Sequence, residues 1–172
     1  FIFDNMSSNS GYKLSIDPMS QLNFSIFTSS GIKSLTTSPI DNDVWQHIAI
    51  VYNGARYAIL IGGVLDNSLL LSEQIVDSSS NNLTIGSSNG GGEHFKGAFD
   101  ELRVWGVALS SCRITDQSSC ELIGNENDLN AYYNFNNGEV NGNNFPMFDV
   151  LRYNHTITSG IPPEGRLNNF GL

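Results

Sequence analysis

Phe95-Lys-Gly-Ala-Phe-Asp-Glu-Leu-Arg-Val-Trp105, Ala108-Leu-Ser110 and Gly124-Asn-Glu-Asn-Asp-Leu-Asn-Ala-Tyr-Tyr-Asn-Phe135 decide the fold. The first and last pieces carry the aromatic and aliphatic alternation of β-strands, and a short polar turn separates them. Such strands need a second sheet to cover their apolar face, which points to a β-sandwich. Phe95–Trp105 is expected to be the longest strand, with Leu129–Phe135 as a second.

The same alternation recurs upstream. Tyr12, Leu14 and Ile16 share one parity, as do Leu22, Phe24 and Ile26, and Asp17-Pro18-Met19-Ser20 lies between them. This reads as a hairpin. Trp45–Tyr52 and Tyr57–Ile61 flank Asn53-Gly54, the strongest short hairpin signal. Gly62-Gly63 makes the next turn, Leu69–Leu71 and Leu83–Ile85 are short strands, and Gly86–Gly92 is a loop. Ser110 is placed to cap a helix of a turn or two. Weak strand signals follow at Phe145–Leu151, Thr156–Thr158 and Leu167–Phe170. No sustained helical periodicity or internal repeat appears, so residues 1–172 read as one all-β domain.

The chain has 172 residues and a formal net charge of −9. Lys and Arg form no cluster, which argues against nucleic acid or an anionic membrane surface as partner. No apolar run approaches spanning length, so membrane insertion is not expected. Cys112 and Cys120 are the two cysteines. On one regular helix their spacing would put them ~12 Å apart, too far to bond. A break between them would permit a disulfide, the pairing expected if the protein is extracellular. Asn-x-Ser/Thr sequons stand at Asn5, Asn23, Asn82 and Asn154.

The order and spacing of Trp45-Gln46-His47-Ile48-Ala49, Asn53-Gly54, Leu83-Thr84-Ile85-Gly86, Phe95–Trp105, Ala108-Leu109-Ser110 and Leu129–Phe135 resemble the laminin-G-like, concanavalin A-like jelly-roll family. The match runs over about residues 45–138. Cys120-Glu121-Leu122, Gly124-Asn125-Glu126 and Leu167-Asn168-Asn169-Phe170 are similar to a variant found in secreted or surface proteins of marine and gut Bacteroidetes. The resemblance implies an antiparallel sandwich and one or two strands upstream of Tyr12 that this sequence does not match. The sandwich is therefore expected either to lack its first strands or to receive them from another polypeptide.

What the resemblance implies about function is a non-catalytic recognition or adhesion module of an extracellular or cell-surface protein. The expected partner is a glycan or surface polysaccharide. The alternative is a structural interaction domain, completed at an open sheet edge by a partner protein or upstream segment. Glucanases of this architecture carry Glu-x-Asp-x-x-Glu on a strand, which places carboxylates on one face. That run is absent from the sequence. Loop residues Asn89, Glu93, His94, Tyr153 and Asn154 are candidates for ligand binding, because sugars need polar groups that are not consumed by the core. Calcium needs hard oxygen ligands. Asp100 and Glu101 are the candidates, with Asp149, Asn143 and Asn144 able to join them. The competing reading pairs one of the two acids with Arg103 as a strand-end brace. Trp45, Trp105, Tyr132, Tyr133 and Phe135 lie inside strand patterns and are assigned to the core.

Overall fold

The structure, a computed structural model, describes residues 1–76 and 81–136. Tyr153, Asn154, Asp149, Asn143, Asn144 and the three downstream strand signals lie outside the described residues. The chain divides into two compact units. The first holds Phe1–Gly97 and Ser110–Ser118; the second holds Ala98–Leu109 and the described residues from Ser119 onward.

The first unit contains two antiparallel sheets. One is built from β1 (Phe3–Asp4), β2 (Tyr12–Ile16), β3 (Gln21–Thr28), β4 (Gly31–Pro39) and β8 (Thr84–Ile85), in the order β4-β3-β2-β1-β8. The other is β5 (Ile48–Tyr52), β6 (Arg56–Ile61) and β7 (Val64–Leu70), in that order. Their inner faces share a core. Leu14, Leu22, Phe24, Ile26 and Leu35 of the first sheet pack with Tyr57 and Ile59 of the second. Phe24 meets Tyr57 edge to face, with ring centroids 5.5 Å apart, a favoured aromatic geometry. This is a sandwich in which alternate residues of each strand point inward.

The β2–β3 hairpin forms in the expected register, with Leu14 opposite Phe24 and Ile16 opposite Leu22. Asp17 fixes its turn: one carboxylate oxygen accepts from the backbone N–H of Met19 at 2.8 Å and of Gln21 at 3.0 Å. The Gln21 N–H is the main reason its pKa lies below the ordinary carboxylate value. Asn53 closes the β5–β6 hairpin in the same way, accepting from Ala55 and Arg56. Such Asx contacts substitute for a backbone turn. At the other end of β2, Gly11 sits at φ +105°, and a Cβ there would lie 2.2 Å from the carbonyl oxygen of Asn5. Only glycine fits that approach.

The second unit pairs β9 (Leu102–Trp105) with β10 (Leu129–Tyr133). A bulge lies between Leu129 and Ala131. Ala131 and Tyr133 are buried against Leu102, Val104 and Phe135. The helix α1 (Ser111–Gln117) belongs to the first unit. Ser110 caps it as expected, its hydroxyl accepting from the Arg113 N–H.

Three expectations are corrected. Phe95–Trp105 is not one long strand, because only Leu102–Trp105 is extended in a ladder. Gly97 lies under the Phe95 ring, where a Cβ would meet ring carbon at 2.4 Å. Glu101 then turns the chain at φ +56°, a left-handed conformation that a ladder does not accept. Asp100 and Glu101 therefore lie before the ladder and not on a strand. Second, β5 begins at Ile48, so Trp45 precedes the strand and is 69% exposed instead of being core. Third, no disulfide joins Cys112 and Cys120. Both thiols are exposed, and Cys112 Sγ points along the helix to Asp116 Oδ2 at 3.7 Å.

Candidate functional site

The loop and turns at one end of the first unit are built from the β2–β3 turn, the β4–β5 loop (residues 40–47) and the β6–β7 turn. Main-chain and amide contacts hold them together. The Ile40 N–H donates to Ser20 O at 2.8 Å, and the Asn42 amide donates to Ser20 Oγ at 2.8 Å. The Gln46 amide donates to Asp41 O at 2.7 Å, and Gly62 N–H donates to His47 O at 2.8 Å. The loop is therefore fixed at its start, its middle and its exit. Between these ties it presents the Trp45 indole to solvent, beside exposed Asp41, Asn42, Asp43 and Val44. Met19, on the adjoining β2–β3 turn, is also exposed.

The Gly86–Gly92 loop is tied down differently. Asp4 on β1 is buried, and its carboxylate accepts from the Met6 N–H at 2.8 Å and the Asn89 N–H at 2.9 Å. The Asn89 side-chain amide donates to Met6 O at 3.0 Å. Ser88 Oγ donates to Gly92 O at 3.0 Å. The amide donor of Asn89 is thus engaged in bracing the loop on β1. Glu93 and His94 follow it and are exposed.

Asn5, Ser10 and Asn81 form a partly buried polar cluster. The Asn5 amide donates to Asn81 O, the Asn81 amide donates to Asn5 O, and Asn81 also donates to Ser10 Oγ. Asn5 is 5% exposed. The side-chain amide of Asn23 donates to Asp17 Oδ2. Both sequon nitrogens are therefore engaged in hydrogen bonds, with Asn5 buried and Asn23 half-buried, whereas Asn82 is exposed.

In the second unit, Glu101 and Asp100 separate in role. Asp100 is exposed. Glu101 forms an ion pair with Arg103 and accepts from the Tyr132 hydroxyl at 2.7 and 2.8 Å. The Arg103 guanidinium also donates to Cys120 O and lies over the Tyr132 ring, 5.7 Å from its centroid. Tyr132 is fully buried. Its hydroxyl is pushed up to about 12, first by burial and then by its bond to the Glu101 carboxylate. Glu126 organises the neighbouring turn by accepting from the N–H groups of Ile123 and Gly124. Burial raises its pKa, but these backbone donors outweigh it and the net shift is downward.

This geometry tests the calcium expectation. A cation at Glu101 would have to displace Arg103 and Tyr132. Asp100 contributes one carboxylate, and Asp149 lies outside the described residues. Among the described residues no group of three or more His, Cys, Asp or Glu side chains could hold a metal ion. The described residues do not fit the ion at this place, and Glu101 acts as the brace for the strand end.

Two local signals compete at Trp45. Its Trp-x-His-hydrophobic-Ala setting looks like a strand, yet Asn42-Asp43 just before it forms a turn, and the chain stays irregular from there to Ile48. No helix among the described residues is long and apolar enough to cross a membrane.

No curated protein matches the chain. Among solved structures, it is similar to a provisionally described carbohydrate binding protein from Bacteroides ovatus. The TM-score is 0.66 at 19% identity, over 87% of this chain and 45% of that one. The chain thus spans less than half of that protein, and the likeness is one of fold. A second similar structure is an S-layer domain-containing protein from Clostridium thermocellum. Its TM-score is 0.36 at 22% identity, over 66% of this chain and 58% of that one. A laminin-G-type family profile matches residues 1–115, which includes the first 44 residues that the motif resemblance did not reach. With the antiparallel sandwich and this match across most of its length, the chain belongs to the concanavalin A-like lectin/glucanase superfamily.

Proposed function

We propose that the chain is a non-catalytic recognition module of an exported or cell-surface protein, and that its ligand is a glycan. The observation that carries this reading is Trp45. A lectin-type sandwich presents an indole that is 69% exposed on a loop fixed by hydrogen bonds, among amides and carboxylates. Sugars are bound by such a combination, because an aromatic face covers their C–H groups and nearby polar side chains meet their hydroxyls. Holding the loop in advance reduces the ordering cost of binding.

The non-catalytic part of the reading is supported by the absence of Glu-x-Asp-x-x-Glu from the whole sequence and by the commitment of Glu101 to Arg103 and Tyr132. Extracellular placement follows from the ligand class. Calcium enters the proposal only through residues beyond those described.

The test is a glycan array probed with the folded chain, with and without a chelator. Binding to one or more glycans is expected in both conditions. An empty array, together with a tight complex with a protein, would replace this reading by that of a structural interaction domain.

A further inference from the structure

Resting on that reading, we infer that the loop of residues 40–47 selects neutral hexopyranose chains, that Trp45 is its stacking platform, and that recognition there needs no cation.

Exposure singles out the ring. Trp45 is 69% exposed, while the next most exposed aromatic among the large exposed hydrophobics, Tyr52, is 36% exposed. Tyr52 is also engaged, its hydroxyl donating to Gly54 O at 2.9 Å. Leaving an indole in water forgoes burial that the core could have used. The neighbouring contacts show that the loop is not simply untethered. Ile40, Asn42, Gln46 and His47 are all bonded to Ser20, Asp41 or Gly62. The backbone holds the ring out instead of letting it fold back.

Charge narrows the ligand. Asp41 and Asp43 flank Asn42 and are exposed, and the chain carries a formal net charge of −9. A uronate or sulfated chain brought to this loop would meet like charge. A neutral sugar meets no such repulsion, and a carboxylate accepts from a hydroxyl in a short, charge-assisted hydrogen bond. Neutral pyranoses with a run of axial C–H groups on one face would lie flat on the indole, with equatorial hydroxyls directed outward to the carboxylates. Among the described residues no group of three or more His, Cys, Asp or Glu side chains could hold a bridging cation there.

The alternative loop is less suited. The Asn89 backbone N–H is bonded to Asp4 and its side-chain amide to Met6 O, and no indole stands in the Gly86–Gly92 segment.

The experiment uses the intact chain. Titrations with soluble neutral β-glucan and β-galactan oligosaccharides, and with an oligouronate as the charged control, are followed by calorimetry and tryptophan emission. Binding to at least one neutral oligosaccharide is expected, with a blue shift of the emission and no change on adding chelator. Trp45→Ala should weaken it about tenfold or more. Trp45→Phe should recover part of the loss, and Trp105→Phe should keep the blue shift. Because residue 45 is exposed, its variants should fold as the native chain does, and far-ultraviolet dichroism checks this. If neutral oligosaccharides bind but Trp45→Ala binds equally well, the assignment of the platform is overturned while glycan recognition stands. Preference for the oligouronate, or loss on chelation, overturns the ligand class. Failure to bind any sugar overturns both this inference and the reading beneath it.

Discussion

The hydroxyl of Tyr132 lies 2.7 and 2.8 Å from the two carboxylate oxygens of Glu101, across 31 residues of sequence. This contact, with Arg103 paired to the same carboxylate, closes the start of β9 onto β10. Tyr132→Phe leaves the carboxylate one donor short and is expected to destabilise by about 1–2 kcal/mol. Glu101→Ala removes the acceptor that Tyr132 and Arg103 share and should cost more, about 2–3 kcal/mol. Urea unfolding of the two variants and the double mutant gives the coupling. Additive losses would show that the contact contributes nothing of its own.

Tyr57 makes the opposite case. Its ring is fully buried between the sheets, and its hydroxyl has no hydrogen-bond partner among the described residues. Burial alone raises its pKa. Tyr57→Phe removes a desolvated oxygen and keeps the Phe24 contact, so stability should hold or rise by up to about 1 kcal/mol. A clear loss in the melting curve would mean that the hydroxyl is satisfied.

Tyr132 also sets a dependence on alkali. Its pKa rises from the ordinary phenol value of 10.0 to about 12 in the fold. The folded state therefore holds this proton more tightly than the unfolded chain. The stabilisation is fully present below pH 10 and is lost as pH climbs from 10 toward 12. The gap in unfolding free energy between the native chain and Tyr132→Phe should shrink over that window. Tyr12 and Tyr57, also raised by burial, are common to both proteins and cancel. A gap that stays constant from pH 9 to 11.5 would contradict the placement of the proton.

Gly11→Ala should be among the most damaging small substitutions. The new methyl would sit 2.2 Å from Asn5 O, and the backbone at φ +105° is strained for alanine. Backbone blocks it, so repacking cannot relieve the clash; a loss of about 2–4 kcal/mol is expected. Gly31→Ala has a similar φ, +102°, with open space around it, and should cost less. Equal melting points for the two variants would remove the steric account.

Two thiols should titrate with a disulfide reagent in the folded, unreduced protein, because Cys112 and Cys120 are exposed and unbridged. Titration of none, with two appearing after reduction, would restore the disulfide that the sequence suggested.

How far the fold is legible in the sequence depends on where the information lies. The hairpins at Asp17–Ser20 and Asn53-Gly54 are legible because turn chemistry and alternation are both local. So is the Ser110 cap. Strand β4, nine residues long, gives no such warning. Only Leu35 and Thr37 are buried in it, and Ser, Thr and Lys fill most of the rest, so periodicity carries no signal. Its place comes from pairing with β3. β1 escapes for a related reason: two residues cannot show a period, and contacts to β2 and β8 define it. In the opposite sense, Phe95–Glu101 has the pattern of a strand, but the Phe95 ring over Gly97 and the left-handed Glu101 prevent one. Among the candidate site residues, the contacts of Asn89 span 83 and 85 positions, and no local pattern could expose them. Trp45 defeats its core assignment because a strand motif and a turn signal meet at one residue.

The β4–β5 loop separates what secures it from what it displays. Ile40, Asn42, Gln46 and His47 make its anchoring bonds, whereas Val44 and Trp45 project outward. Substitution at the displayed positions leaves the anchors untouched. This end of the sandwich is therefore open to retuning, by drift or by library selection, with little cost to the scaffold that carries it.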